Sequence, residues 1–140
     1  MMPRILNMEL DTTLTFSLIL SIFMLILSIR VLDMRGSPVT KFLHSSDRVV
    51  SEESLQRAIR GHGNLVEYAP LFLIVMLILE MSGASQSQLI FSGTAFTLGR
   101  LMHGIVFSFM KPNMIMRIGG MAFTFVGFFG LIRVAIQTLM

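Results

Sequence analysis

Arg57, Arg60, Asn64, Glu67 and Tyr68 occupy one short run of the chain. On a helix advancing 100° per residue they fall within an arc of about 100°. Two guanidinium groups, an amide, a carboxylate and a phenol on one face suit a particular chemistry. Arg presents a planar fork that binds carboxylates bidentately, and a Glu carboxylate suits an ammonium. The stripe thus matches a small zwitterionic or polyanionic ligand with more than one carboxylate. Arg100 and His103 follow three residues apart, and Arg117 comes later still. The chain contains no Cys, so any thiol chemistry must use a thiol brought by a ligand.

The elements that position these groups are hydrophobic. Of 140 residues, 54% are hydrophobic and 14% charged, and the mean hydropathy is +0.77. A soluble domain carries roughly 25% charged residues. The apolar residues fall in blocks close to the roughly 20 residues that cross a bilayer. The sequence therefore predicts an all-α, multi-pass integral membrane protein, a four-helix bundle with one domain over residues 1–140. Its spans are expected at about residues 12–33, 54–82, 88–110 and 114–138.

The first apolar block ends in Arg30-Val31-Leu32-Asp33-Met34-Arg35, without the small-residue site that signal cleavage requires. It is read as an anchor. Arg35-Gly36-Ser37-Pro38 breaks that helix, and a mixed loop is expected from Val39 to Val50. Ser51 is a suitable N-cap for the second helix, with Glu52 and Glu53 in its first turn. That helix runs about 30 residues, so its first turns project into water. Pro70 interrupts its hydrogen bonding just past Glu67. Met81 to Gln88 forms an uncharged turn, and Lys111-Pro112-Asn113 forms the last one. Ala95, Gly99, Gly119, Gly120, Gly127 and Gly130 let the third and fourth helices approach closely.

The net charge of +3 does not point to nucleic acid. The basic residues sit in loops and at helix ends rather than as a stripe with exposed aromatics. They concentrate at the first connection (Arg30, Arg35, Lys41, Arg48, Arg57, Arg60) and the third (Lys111, Arg117). Positive-inside topology makes these connections cytoplasmic and puts both termini on the other side. Arg100, His103 and Arg117 then converge with the stripe at one depth. A stripe of this kind cannot face lipid, and must face protein or a water-filled cavity. The same charges could also serve as an internal ion-pair network. His44, His62 and His103 lie on separate elements without ligand spacing, so no metal site is assigned. Internal repeats of the kind found in transporters are not seen.

The pattern Arg60-x-x-x-Asn64-x-x-Glu67-Tyr68-x-Pro70 closely resembles the signature of the MAPEG family, membrane-associated proteins in eicosanoid and glutathione metabolism. Bacterial members look nearest, through Gln56-Arg57-Ala58-Ile59-Arg60-x-His62-Gly63-Asn64-x-x-Glu67-Tyr68 and Gly99-Arg100-Leu101-Met102-His103. The resemblance spans Ser54 to about Thr124. It implies a homotrimer with the second helices around the central axis, in a bacterial inner membrane rather than the endoplasmic reticulum. It also implies glutathione as co-substrate, bound between subunits by Arg57, Arg60, His62, Asn64, Glu67, Tyr68 and Arg100.

Arg117 matches an Arg that stabilises the glutathione thiolate in conjugating members, and His103 stands where a Tyr is frequent. Both are catalytic candidates on this resemblance. The implied activity is that of a glutathione transferase or peroxidase acting on lipophilic electrophiles or hydroperoxides. The implied alternative is a non-catalytic protein that binds glutathione or lipid.

Overall fold

A computed structural model describes residues 10–43 and 48–140, so the His44 considered above lies outside the described residues. Four helices follow one another: α1 (Asp11–Met34), α2 (Glu52–Met81), α3 (Gln86–Ser108) and α4 (Met114–Leu139). All four are long and apolar enough to cross a membrane, which makes the chain the all-α membrane bundle its composition predicts. Within the expected mixed loop the chain makes a six-residue 3₁₀ turn, Pro38–Leu43. Pro38 fixes φ at its start, and Ser37 O accepts from both Thr40 N and Thr40 Oγ1 at 3.1 and 3.0 Å. The 30 residues of α2 extend about 45 Å at 1.5 Å per residue, longer than the hydrocarbon core.

The helix ends explain where the backbone polar groups go. Gly36 (φ 73°) and Gly83 (φ 79°) take the left-handed conformation that stops α1 and α2. Each stop is a Schellman motif: Ser37 N bonds Leu32 O, and Ala84 N bonds Leu79 O. Ser51 caps α2 by accepting from Ser54 N, as its position predicts, and Asn113 caps α4 by accepting from Met116 N. α1 has no such cap of its own. Instead Glu80, in the last turn of α2, accepts from Thr12 N and Thr13 N at 2.9 and 2.8 Å.

The C-terminal end of α3 is served by its neighbours in the same way. Arg57 donates to Val106 O and Met110 O, both at 2.7 Å, and Arg30 donates to Ser108 O at 3.1 Å. Two cations thus meet the negative end of a helix that has no basic residue in its own last turn. Asp33, buried beside them, pairs with Arg30 at 3.3 Å and Arg48 at 2.8 Å.

The core runs along the bundle axis. Phe16, Leu20, Phe23 and Leu27 of α1 meet Leu65, Phe72 and Met76 of α2. Phe72 stacks on Phe96 of α3 at 3.8 Å, and Phe128 of α4 closes edge-on to both. α3 and α4 pack most tightly. A Cβ on Gly99 would lie 2.6 Å from Gly120 O and Thr124 N, so only hydrogen fits. Leu14, Leu18, Leu25 and Phe129 are exposed, as a lipid-facing surface requires.

Candidate functional site

The polar groups gather toward the end of the bundle where α2 and α4 begin, in two tiers rather than at one depth. The lower tier is built on Arg100. Its side chain is 1% exposed, an unusual state for a guanidinium at membrane depth. Thr124 Oγ1 accepts from Nε at 3.0 Å and from Nη2 at 2.6 Å. Asn64 O and Oδ1 accept from Nη1, both at 3.4 Å, and Met121 Sδ lies 3.4 Å from Nη2. The cation also lies over the Tyr68 ring at 4.7 Å, a contact that strengthens away from water. No carboxylate among the described residues pairs with it. Asn64, Tyr68 and Arg100 are therefore brought together, and they hold one another.

The upper tier is one turn higher, about 6 Å along the axis. Here Arg57, Arg60 and Arg117 line a cavity of about 270 Å³ with Glu53, Gln56, Phe107 and Pro112. Arg57 is already engaged with the α3 carbonyls. Arg117 is exposed and lies over the Phe107 ring at 5.1 Å. Arg60 is exposed and makes no hydrogen bond or ion pair among the described residues. Three guanidinium groups and the Glu53 carboxylate surround one opening, which leaves it a net positive charge, and the Arg60 and Arg117 guanidinium groups make no hydrogen bond among the described residues.

Glu67 shares the outward face of α2 with Arg60, two turns along, and is likewise exposed without a partner among the described residues. That face continues through Leu71, Ile74 and Ile78, all more than half exposed. His62 turns the opposite way. It meets Ser28 of α1 at 2.9 Å, and because Ser28 Oγ donates to Met24 O, His62 Nε2 is the donor. His62 is thus not part of the cluster formed by the other α2 residues.

His103 lies between the tiers, 6% exposed, its ring stacked on Phe107 at 4.7 Å. It lines a second cavity of about 460 Å³ on α4, where Met114, Ile118, Met121 and Phe125 make the wall apolar. Arg117 lines this cavity as well. No group of three or more His, Cys, Asp or Glu suited to a metal occurs among the described residues.

Thr124 and Phe107 escaped the sequence reading. A lone hydroxyl four residues after Gly120 gives no chemical signal until Arg100 is seen to need an acceptor. Phe107, one turn beyond His103, was legible only as packing.

The fold and site define a four-span α-helical membrane protein with a cationic cavity at one end, adjoining an apolar one. The profile of the MAPEG family matches residues 13–137, nearly the whole chain, and the chain belongs to the MAPEG family. It is similar to the inner membrane protein YecN of Escherichia coli K12, with 49% identity over 49 residues. That match covers 35% of this chain and 37% of the relative's length. The protein of the same name from Escherichia coli O6:H1 matches with the same figures. The chain thus aligns with little more than a third of these relatives. No solved structure matches it.

Proposed function

We propose that this protein binds glutathione at the cavity of Arg57, Arg60 and Arg117 and delivers it, as the thiolate, to lipophilic electrophiles or hydroperoxides. The observation that carries the reading is the place of Arg117, whose side chain lines both the polar cavity and the apolar one. A water-soluble thiol and a bilayer-soluble substrate would meet at that guanidinium. Glutathione has two carboxylates for Arg60 and its neighbours, and an ammonium for Glu67 or Glu53. The thiolate is the nucleophile, and a fixed cation beside a thiol favours that form. Arg117 supplies the charge without giving up a proton. In conjugation the sulfur bonds to the electrophilic carbon as the leaving group departs with the electron pair.

The outward stripe of Arg60, Glu67, Leu71, Ile74 and Ile78 supports a homotrimer with α2 around its axis and glutathione between neighbours. An exposed carboxylate in a membrane helix needs such cover. The basic residues support placing the α1–α2 and α3–α4 connections in the cytoplasm, with both termini outside, in a bacterial inner membrane. One observation favours a second reading, a non-catalytic glutathione- or lipid-binding protein: Arg100, the most buried cation, is wholly engaged in holding helices together.

Stopped-flow ultraviolet absorbance separates the two. Mixing the detergent-purified protein with glutathione at neutral pH is expected to produce the thiolate band. Arg117→Ala is expected to cut the ionised fraction by about 10-fold or more while glutathione still saturates the protein. Saturable binding with no thiolate band in the unaltered protein rejects the transferase reading in favour of the binding one.

A further inference from the structure

The side of α1 that faces away from α2 carries a pair of cations with no part in the proposed reaction. Ser28 meets His62 of α2. Arg30 stands about 200° further round α1 and reaches α3 instead. Its Nε donates to Ser108 O at 3.1 Å and its Nη1 to Asp33 Oδ2 at 3.3 Å. Arg48 Nη2 donates to the same carboxylate oxygen at 2.8 Å. One carboxylate thus holds two guanidinium groups side by side, and the three residues keep a net positive charge. Arg30 Nη2 and Arg48 Nε and Nη1 make no hydrogen bond among the described residues. The two side chains are 27% and 30% exposed, fixed in place yet not enclosed.

Arg30, Arg48 and Asp33 line a cavity of about 300 Å³ together with Ile26, Ile29, Leu43 and Phe109. On α1, Leu18, Ile22, Ile26 and Ile29 recur at helical spacing, each about half exposed. From Ile29 to Leu18 this apolar track runs about 16 Å, close to the depth of one leaflet. Beside the cavity the Pro38–Leu43 turn exposes Val39 and Phe42, at 75% and 82%. Apolar side chains so bare suit the boundary between headgroups and acyl chains. Fixed guanidinium groups above an apolar track of leaflet depth match a phosphate that carries a hydrocarbon chain. A free anion would have no use for the track.

We infer that this groove, between α1 and the end of α3, is a binding site for one anionic phospholipid. Its phosphate is held by Arg30 and Arg48, whose forks suit phosphate oxygens, and an acyl chain lies along Ile29, Ile26, Ile22 and Leu18. The carboxylate in the cavity, Asp33, is engaged by both cations. It is therefore not offered to a headgroup ammonium, and a net-negative lipid is preferred over a zwitterionic one. Bound there, the lipid joins the end of α1, the segment that follows it and the end of α3. The site is separate from the cavity of Arg57, Arg60 and Arg117, and it stands whether or not that cavity takes glutathione.

The chain has no Trp, so a single one reports which lipid lies beside it. Ile22→Trp places it on the track, and Phe123→Trp places it on an exposed part of α4. Each variant is reconstituted in vesicles of phosphatidylcholine and phosphatidylglycerol, with one lipid or the other brominated to quench fluorescence. At Ile22→Trp, phosphatidylglycerol is expected to be favoured by about 10-fold over its share of the bilayer, and at Phe123→Trp by about twofold or less. Adding Arg48→Gln to Ile22→Trp is expected to bring the preference down to about twofold. An equal preference at both positions, or one that survives Arg48→Gln, is general surface charge and overturns the inference. Fluorescence at Ile22→Trp that neither lipid quenches overturns it too, since a second copy of the chain then covers the track. Loss of the preference on adding soluble glycerol phosphate makes the site one for free phosphate and likewise overturns it. Should Arg48→Gln not fold, native mass spectrometry of the unaltered, delipidated protein decides. Offered equal amounts of the two lipids, it is expected to retain one phosphatidylglycerol per chain, and equal retention of both overturns the inference.

Discussion

Replacing Thr124 with Val removes one hydroxyl and keeps the side chain's shape, and Arg100 should register the loss. The guanidinium has two short hydrogen bonds, at 3.0 and 2.6 Å, and both end on Thr124 Oγ1. Its contacts with Asn64, both 3.4 Å, are too long to replace them. Hydrogen bonds from a charged donor contribute about 1.5–3 kcal/mol each, and a buried donor left without an acceptor bears its full desolvation cost. Allowing for partial compensation through the Tyr68 ring, Thr124→Val is expected to destabilise the bundle by about 3 kcal/mol. That is roughly two decades in the folding equilibrium.

The assay is reversible unfolding in mixed micelles with rising sodium dodecyl sulfate, followed by helix ellipticity. Thr124→Ser keeps the acceptor and should lose about 1 kcal/mol or less. Arg100→Met combined with Thr124→Val should recover much of the loss, because removing a whole buried polar network is far cheaper than orphaning half of it. A Thr124→Val shift below about 0.5 kcal/mol, the scatter of an ordinary surface substitution, refutes the claim that this hydroxyl holds the cation.

Two further predictions concern the ligand face and the tightest helix contact. Glu67→Gln and Arg60→Ala are each expected to weaken glutathione binding by about 30-fold or more, read by isothermal titration, since each removes one partner of a desolvated charge pair. Unaltered affinity in both removes the α2 stripe from the site. Gly99→Ala is expected to cost about 1–3 kcal/mol in the same unfolding assay, because its Cβ meets the α4 backbone at 2.6 Å. Gly63→Ala meets nothing within 4 Å and should instead stabilise α2 by about 0.5–1 kcal/mol; equal effects at the two glycines contradict the close α3–α4 approach.

The spans were legible in the sequence because apolar block length and the Gly-Ser-Pro break are local properties. The α2 stripe was legible for the same reason, through 100° per residue. The partners of that stripe were not. Which carbonyl Arg57 would meet depends on how α3 is placed beside α2, and a helix apolar on most faces does not announce its rotation. Thr124 and Glu80 were invisible on this account, each a single polar side chain whose use is set by another helix. His62 shows the opposite case. It stands 200° from Asn64 on the same helix, so the geometry that collected the stripe already excluded it. The resemblance brought it in, and the structure turns it toward Ser28.

Glu80 has a bearing on how the chain assembles. Its carboxylate completes the start of α1, yet it is made some seventy residues later, at the far end of α2. When the first helix enters the membrane its leading amides therefore lack the acceptor they finally hold. They gain it once the second helix has returned to the same side. The first two helices are thus completed as a hairpin, and the polypeptide's own order of synthesis makes Glu80 the clasp that closes it.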